Sequence, residues 1–371
     1  MIQPELEILA IAIVVAVACA LPGVFLVLRS MALMSDAISH SILLGIVLGF
    51  LFVGDIGSPL LILAAAATGV VTVVLVELLN QTRLVKEDAA IGLVFPVLFS
   101  IGVILIARFA GNVHLDTDAV LLGELVFAPF ERFELAGADL GPRVLWVMLV
   151  ILALNAAFLG IFFKELKLTT FDAGLAAALG FSPALVHYLF MSLVSITAVG
   201  AFDAVGSILV VAMMIGPPAT AYLLTDRLST MIALSAVVGV VGAAAGYLLS
   251  STLDASIAGS MAVAIGLCFA GAFGFAPERG MVAVRRRRER QRWEFAETML
   301  AIHLFNHESL PEHQEESRVQ HLHEHLRWEE SFAQRVVDRA LDHGVVVRAN
   351  HDRLELTSAG RHTARRAISS L

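Results

Sequence analysis

Apolar runs of membrane-crossing length recur from residue 8 to residue 276 of this 371-residue chain. A span needs about 20 predominantly apolar residues, and lipid offers no water to unpaired backbone groups, so such runs have to fold as helices. The pattern places spans at about 8–28, 32–53, 59–79, 90–109, 144–163, 183–202, 205–224, 230–249 and 254–276. Hydrophobic residues make up 58% of the chain and charged ones only 16%, so most of it is a polytopic all-α membrane protein. The first run, Ile8–Leu28, has Glu5 and Glu7 where a signal peptide carries bases, and it reads as a span.

The charges then sort by side. Arg29, Arg83 with Lys86, Lys164 with Lys167, Arg227 and the run Arg285–Arg288 fall together, and the positive-inside rule makes that side the cytoplasm. The opposite loops hold Asp55, Asp116, Asp118, Glu124, Glu131, Glu134, Asp139 and Asp254. Nine spans with an outside N-terminus satisfy this and deliver the tail to the cytoplasm. Arg108, Arg132 and Arg143 break the pattern around the outer segment 110–143, whose stretch Ala119–Phe130 is apolar enough for a re-entrant or interfacial helix. The net charge of −8 averages an acid-rich membrane part and a tail whose arginines nearly balance its acids. Cys19 and Cys268 lie in separate apolar runs, with no zinc, redox or disulfide spacing, and read as buried small hydrophobes.

Within the second span, Asp36 and His40 stand four residues apart, which puts them on one helix face. Counting from Arg29 at about 1.5 Å per residue sets His40 about 16 Å deep, near the midplane where transporters hold substrate. A carboxylate there costs several kcal/mol, so such residues point into a bundle and mark a substrate path. Together they make a partial shell for a divalent transition metal. A packing pair, held also by Ser35, Ser39 and Ser41, or a proton relay would use the same residues. Asp203, in the glycine-flanked segment Val199–Gly206, is a second acid near a span end; it would complete a three-ligand N and O set suited to Mn, Fe or Zn, or simply be solvated there. Gly45 and Gly49 form a small-xxx-small packing step, and Gly216-Pro217-Pro218 is expected to kink the seventh span.

Between spans five and six, Thr170 or Asp172 is placed to cap a short helix that Gly180 closes before Pro183. Lying on the membrane is the default for such a helix, and docking into a partner's groove is the alternative. The only lysines are Lys86, Lys164 and Lys167, none preceded by glycine, so the chain has no P-loop and is not itself an ATPase.

At these residues the chain resembles the membrane permeases of ABC importers for zinc, manganese and iron. The resemblance is carried by Leu26–Gly49 (LVLRSMALMSDAISHSILLGIVLG), Thr170–Gly180 (TFDAGLAAALG) and Val199–Arg227 (VGAFDAVGSILVVAMMIGPPATAYLLTDR), and it covers roughly residues 5–276. It implies a type II importer-like fold of eight or nine spans in a bacterial cytoplasmic membrane. The permease would pair with a second subunit, identical or not, bind two cytoplasmic ATPases, and receive metal from a periplasmic or surface-anchored binding protein. No permanent cofactor is implied; the metal is cargo. The family's metal-associated residues map onto Asp36, His40 and Asp203. Its ATPase-coupling helix maps onto Thr170, Phe171, Asp172, Leu179 and Gly180, which replaces the membrane-surface default.

After residue 276 the character changes. Arg285–Arg292, within a juxtamembrane linker 277–292, suits anionic lipid headgroups better than nucleic acid. Residues 293–371 read as a separate small α+β domain. Helices are expected at Trp293–Phe305, Glu316–Leu326 and Glu329–Leu341, then a hairpin through Val345–Arg348 and Arg353–Thr357 around Asn350–Asp352, and a helix from Ser358 to Ile368. That order describes a winged helix, and Ala340–Arg361 resembles the wing of iron-dependent-type metal-responsive repressors. The expected recognition helix carries Arg335 and Arg339 against Asp338, Glu329 and Glu330, a poor footprint for DNA that favours a regulatory or protein-binding role. Nine of the twelve histidines lie in this tail, among them His303 and His307 on one helical face and the alternating His321, His323 and His325, so metal sensing is a further reading. The whole is a metal-importing permease with a tail. A proton-coupled metal transporter and a membrane-tethered metal-responsive regulator are the competing readings.

Overall fold

The computed structural model describes residues 4–54, 58–109, 125–135, 138–308, 317–318, 322, 326–349 and 353–369. The chain divides into two compact units, Met1–Gly280 and Met281–Leu371.

In the first unit, nine helices among the described residues are long and apolar enough to cross a membrane. They are α1 (Pro4–Leu28), α2 (Ala32–Val53), α3 (Pro59–Gln81), α4 (Glu87–Phe109), α5 (Arg143–Ile161), α8 (Pro183–Val205), α9 (Ser207–Leu224), α10 (Leu228–Leu253) and α11 (Ile257–Phe275). Two short helices, α6 (Phe163–Phe171) and α7 (Ala173–Ala178), fill the loop before α8. The spans match expectation to within a few residues, because an apolar run and its breakers are local features. Ser58-Pro59 and Ser182-Pro183 start α3 and α8 in the same way: the serine hydroxyl accepts from Leu60 and Leu185 N–H, and proline occupies the first turn.

Helix α1 is the most buried span and packs against α5, α8, α9 and α10. At its crossing with α9, Gly23 faces the Met214 carbonyl so closely that an added Cβ would lie 2.0 Å from that oxygen. Pro218 has no N–H to offer this carbonyl, so the proline that weakens α9 locally frees the surface on which α1 sits. The run Gly216-Pro217-Pro218 lies inside a continuous α9 and does not interrupt it, and the Thr220 hydroxyl donates to the Gly216 carbonyl at 2.8 Å. Gly45 acts as expected: an added Cβ would meet the Ala64 carbonyl at 2.6 Å, so α2 and α3 touch backbone to backbone.

Buried polar groups pair across helices. The Asn155 amide donates to the Ala18 carbonyl at 2.8 Å and to the Thr197 hydroxyl at 3.0 Å, and Ser195 donates to the Ala66 carbonyl at 2.9 Å. Cys19 is buried as expected, whereas Cys268 is only half-buried.

Of the stretch Ala119–Phe130, residues 119–124 lie outside the described part. The remainder is a turn and a short 3-10 helix, Ala128–Phe130, followed by an antiparallel hairpin of β1 (Arg132–Leu135) and β2 (Ala138–Pro142). Here Arg132, anomalous by charge, bridges Glu7 at 2.8 Å and Asp139 at 2.6 Å. Two acids neutralise it, which explains a base at this end.

The second unit has α12 (Met281–His307), α13 (Glu330–Asp342), a hairpin of β3 (Val346–Ala349) and β4 (Arg353–Leu356), and α14 (Ser358–Ser369). Its core gathers Leu300, Leu304, Val336, Val337, Val346, Leu354 and Ala364. Helix α13 buries Ala333, Val336, Val337 and Ala340, one stripe at helical spacing. Helix α12 begins twelve residues before Trp293 and takes in the basic run read as a linker. Pairs four apart, Arg285 with Glu289 at 3.5 Å and Arg290 with Glu294 at 2.7 Å, sustain an exposed helix that apolar periodicity does not signal. Most of the expected helix Glu316–Leu326 and the turn Asn350–Asp352 lie outside the described residues, as do His321, His323 and His325.

Candidate functional site

Helix α2 starts only at Ala32, after a corner at which Ser30 takes a φ of 61°. The corner adds no helical rise, so His40 stands about 12 Å along α2 rather than 16 Å deep. Asp36 and His40 do share a face: the imidazole Nε2 lies 3.4 Å from Asp36 Oδ1. That is longer than a well-formed N–H···O bond, so neither group exhausts the other's capacity. The side chains are 38% and 29% exposed, so the pair is not sealed among helices.

Helix α4 supplies a wall that the sequence reading missed. Phe95 stacks on the His40 ring with centroids 5.7 Å apart, and Phe99 meets it edge-on at 6.0 Å. Their spacing of four puts them on one face of α4, but nothing local says which residue they meet. With two aromatic walls the imidazole is oriented and its polar edge is left toward Asp36. A carboxylate oxygen and an oriented nitrogen, open on one side, can bind a cation that has lost part of its water.

Asp203 does not join this pair. It lies about 30 Å along α8 from Pro183 and feels the charges of Glu131 and Arg143 near the hairpin end. The set Asp36, His40 and Asp203 is therefore not one three-ligand site, and among the described residues no group of three His, Cys, Asp or Glu could hold a metal. Asp203 lies on the accessible surface of this chain near the end of α8, with packed groups around its carboxylate.

At the opposite end, the segment before α8 folds as two pieces. Asp172 breaks the chain between α6 and α7, and its Oδ1 accepts from Leu175 N–H at 2.8 Å as the N-cap of α7. Gly180 closes the turn with a φ of 88°. Thr170 is not a cap; it sits in the last turn of α6. Phe171, Leu175 and Leu179 are all strongly exposed, an apolar surface raised on a short helix. The sequence also gave no hint that Arg29 reaches this segment. Its guanidinium donates to the hydroxyls of Thr169 and Thr170, each at 3.0 Å.

In the tail, Arg339 donates to Glu297 at 2.7 Å, and Arg335 and Arg339 lie over the Trp293 ring at 5.7 and 5.8 Å. The arginines of the expected recognition helix are thus turned onto α12.

The model of the ABC 3 transport family matches residues 5–276. The chain is 46% identical over 283 residues to the manganese transport system membrane protein MntD of Bacillus subtilis, covering 76% of this chain and 96% of that protein. It is 47% identical over 354 residues to the zinc transport system membrane protein TroD of Treponema pallidum, covering 95% and 96%, so that similarity runs on into the second unit. Among solved structures, PsaBC from Streptococcus pneumoniae in complex with Fab is 29% identical, with a TM-score of 0.64, over 77% of this chain and 96% of that one.

Proposed function

The chain belongs to the ABC 3 transport family, and from that premise we propose that it is the permease subunit of an ATP-driven importer for Mn, Zn or Fe. The observation that carries this reading is the half-open Asp36–His40 pair on α2. One nitrogen and one oxygen suit a divalent transition metal, and so few ligands let the ion leave again. A second permease subunit, in a homo- or heterodimer, would bring a matching pair to the same path. Asp203, near the acidic end, would meet the ion earlier, where a periplasmic or surface-anchored binding protein delivers it.

The basic end faces the cytoplasm in this reading, and the membrane is the bacterial cytoplasmic one. The apolar surface of Phe171, Leu175 and Leu179, fixed by the Asp172 cap and the Gly180 turn, supports docking of a separate ATPase subunit there. ATP-driven closure of two such subunits would shift α7 and switch the path past Asp36 and His40 between the two sides. The tail is read as a winged helix with a regulatory or protein-binding role. Its helix–hairpin–helix order supports the fold, and the engagement of Arg335 and Arg339 with the Trp293 ring, and of Arg339 with Glu297, speaks against a DNA-reading face. The exposed Arg285–Arg288 suits anionic lipid headgroups.

The test is elemental analysis of cells lacking this chain, with Mn, Zn and Fe competing. ATP-dependent accumulation of one of them disappears and returns with the chain. Accumulation that persists without any partner ATPase and follows the proton gradient would overturn the assignment.

A further inference from the structure

Arg29 directly follows α1, and three residues later α2 departs toward Asp36 and His40. Its guanidinium is held from three directions. Nε donates to Thr170 Oγ1 and Nη2 to Thr169 Oγ1, both at 3.0 Å, and Cζ lies 5.1 Å from the centroid of Phe190. Phe190 is fully buried in α8 and meets Phe25 of α1 edge-on at 6.0 Å. The Thr169 hydroxyl donates back to the Glu165 carbonyl at 2.8 Å, which leaves its lone pair aimed at the arginine. Burial pushes the guanidinium pKa down to about 10, so it stays cationic at neutral pH. It is held by neutral hydroxyls and a ring, a set of contacts firm enough to transmit a displacement and weak enough to rearrange. Beside it a cavity of about 310 Å³, lined by Arg29, Glu77, Thr169, Ala173 and His187, gives the α6–α7 segment room to move without displacing the packed core.

We propose that Arg29 is the positioning residue that ties the α6–α7 segment to the corner from which α2 starts, so that a shift of that segment reaches Asp36 and His40. The proposal rests on the reading of α7 as the ATPase seat. It makes Arg29 a mechanical link and not a ligand; a metal ion in its cavity would meet a fixed positive charge. The hydroxyl of Thr169 is the second half of the link. Lysine, with one nitrogen and no planar fork, cannot reproduce the separate Nε and Nη2 contacts to the two hydroxyls.

The experiment uses the whole importer in proteoliposomes, with its ATPase and binding protein, and counts Mn, Zn or Fe moved per ATP hydrolysed. Arg29→Met, which keeps the apolar stem, should assemble and keep basal hydrolysis while metal moved per ATP falls by about tenfold. Thr169→Val should lower the ratio by about threefold, and Arg29→Lys should fall between Arg29→Met and the parent. Ratios equal to the parent's in Arg29→Met and Thr169→Val would overturn the proposal, as would hydrolysis and transport falling in step. If Arg29→Met does not accumulate in the membrane, Thr169→Val against the parent decides alone. A parent complex that moves no metal with ATP would overturn the permease assignment instead, which keeps the two failures apart.

Discussion

Asp36 with His40 in the membrane unit and Glu297 with His343 in the tail are the same chemical pairing under opposite treatment. In the tail, Glu297 is almost buried, His343 Nδ1 lies 2.9 Å from one of its oxygens, and Arg339 donates to the other at 2.7 Å. That carboxylate is neutralised and both its oxygens are engaged. In the membrane unit the contact is 3.4 Å, the walls are the rings of Phe95 and Phe99, and among the described residues no arginine or lysine is paired with Asp36. A carboxylate closed by arginine builds structure. One left open inside a membrane unit is expensive to keep, and it retains the capacity to take a cation.

The largest effect expected from this contrast is on transport. Partners one layer beyond a metal's ligands are worth ten- to a hundredfold, so losing a ligand should cost more than about tenfold. Asp36→Asn and His40→Ala should each give a folded, assembled complex whose metal accumulation falls by at least that much. Glu297→Gln and His343→Ala should leave accumulation within about twofold of the parent. Full uptake in both membrane variants, measured by elemental analysis, would erase the distinction between the two pairs.

How much of this was legible in the sequence follows from distance along the chain. Asp36 and His40 are four apart, so helical geometry alone puts them together, and the nine spans follow from local apolar runs closed by Ser-Pro, glycine and charge. The wall of Phe95 and Phe99 comes from another helix, and the link from Arg29 to Thr170 joins positions 141 apart, which only the packed bundle decides. Asp203 shows the reverse error. Its residue type fits a metal shell, but its place along α8 separates it from α2, and composition carries no such height. Helix α12 was read short because its first turns are held by Arg–Glu pairs and carry no apolar stripe.

A smaller effect is expected in the tail. Glu297→Ala removes two charge-assisted hydrogen bonds and strands Arg339 and His343, each of which is partly exposed and can turn to water. The loss should be about 1–2 kcal/mol after that screening. Trp293 and Trp328 lie in the tail, so tryptophan emission of the whole chain during urea unfolding reports it, and its transition should move to lower urea in Glu297→Ala. Glu297→Gln, which keeps an acceptor for Arg339, should move it less. An unmoved transition in Glu297→Ala would mean that the closed pair contributes nothing to the tail and would remove the structural half of the contrast.

The smallest effect separates closure by arginine from position in the chain, because the membrane unit has an arginine-closed cluster of its own at the β1–β2 hairpin. The Arg132 hydrogen bonds, and then the Gly141 N–H at 2.9 Å, hold the Asp139 carboxyl below the usual aspartate range. A group depressed in this way stabilises the fold above its unfolded value, and that contribution is lost as pH falls through the folded one. The hairpin should therefore be indifferent to acidification from pH 7 to about 5 and loosen only below about 4. Trp146 reads this directly, since its indole N–H donates to the Leu140 carbonyl at 2.9 Å. The emission difference between the chain and Trp146→Phe should stay constant to about pH 5 and shift to longer wavelength below about 4, and in Asp139→Asn that acid step should shrink. A step centred between pH 6 and 7 would mean that the cluster is governed by some other group, and that an arginine beside a carboxylate does not define the closed class.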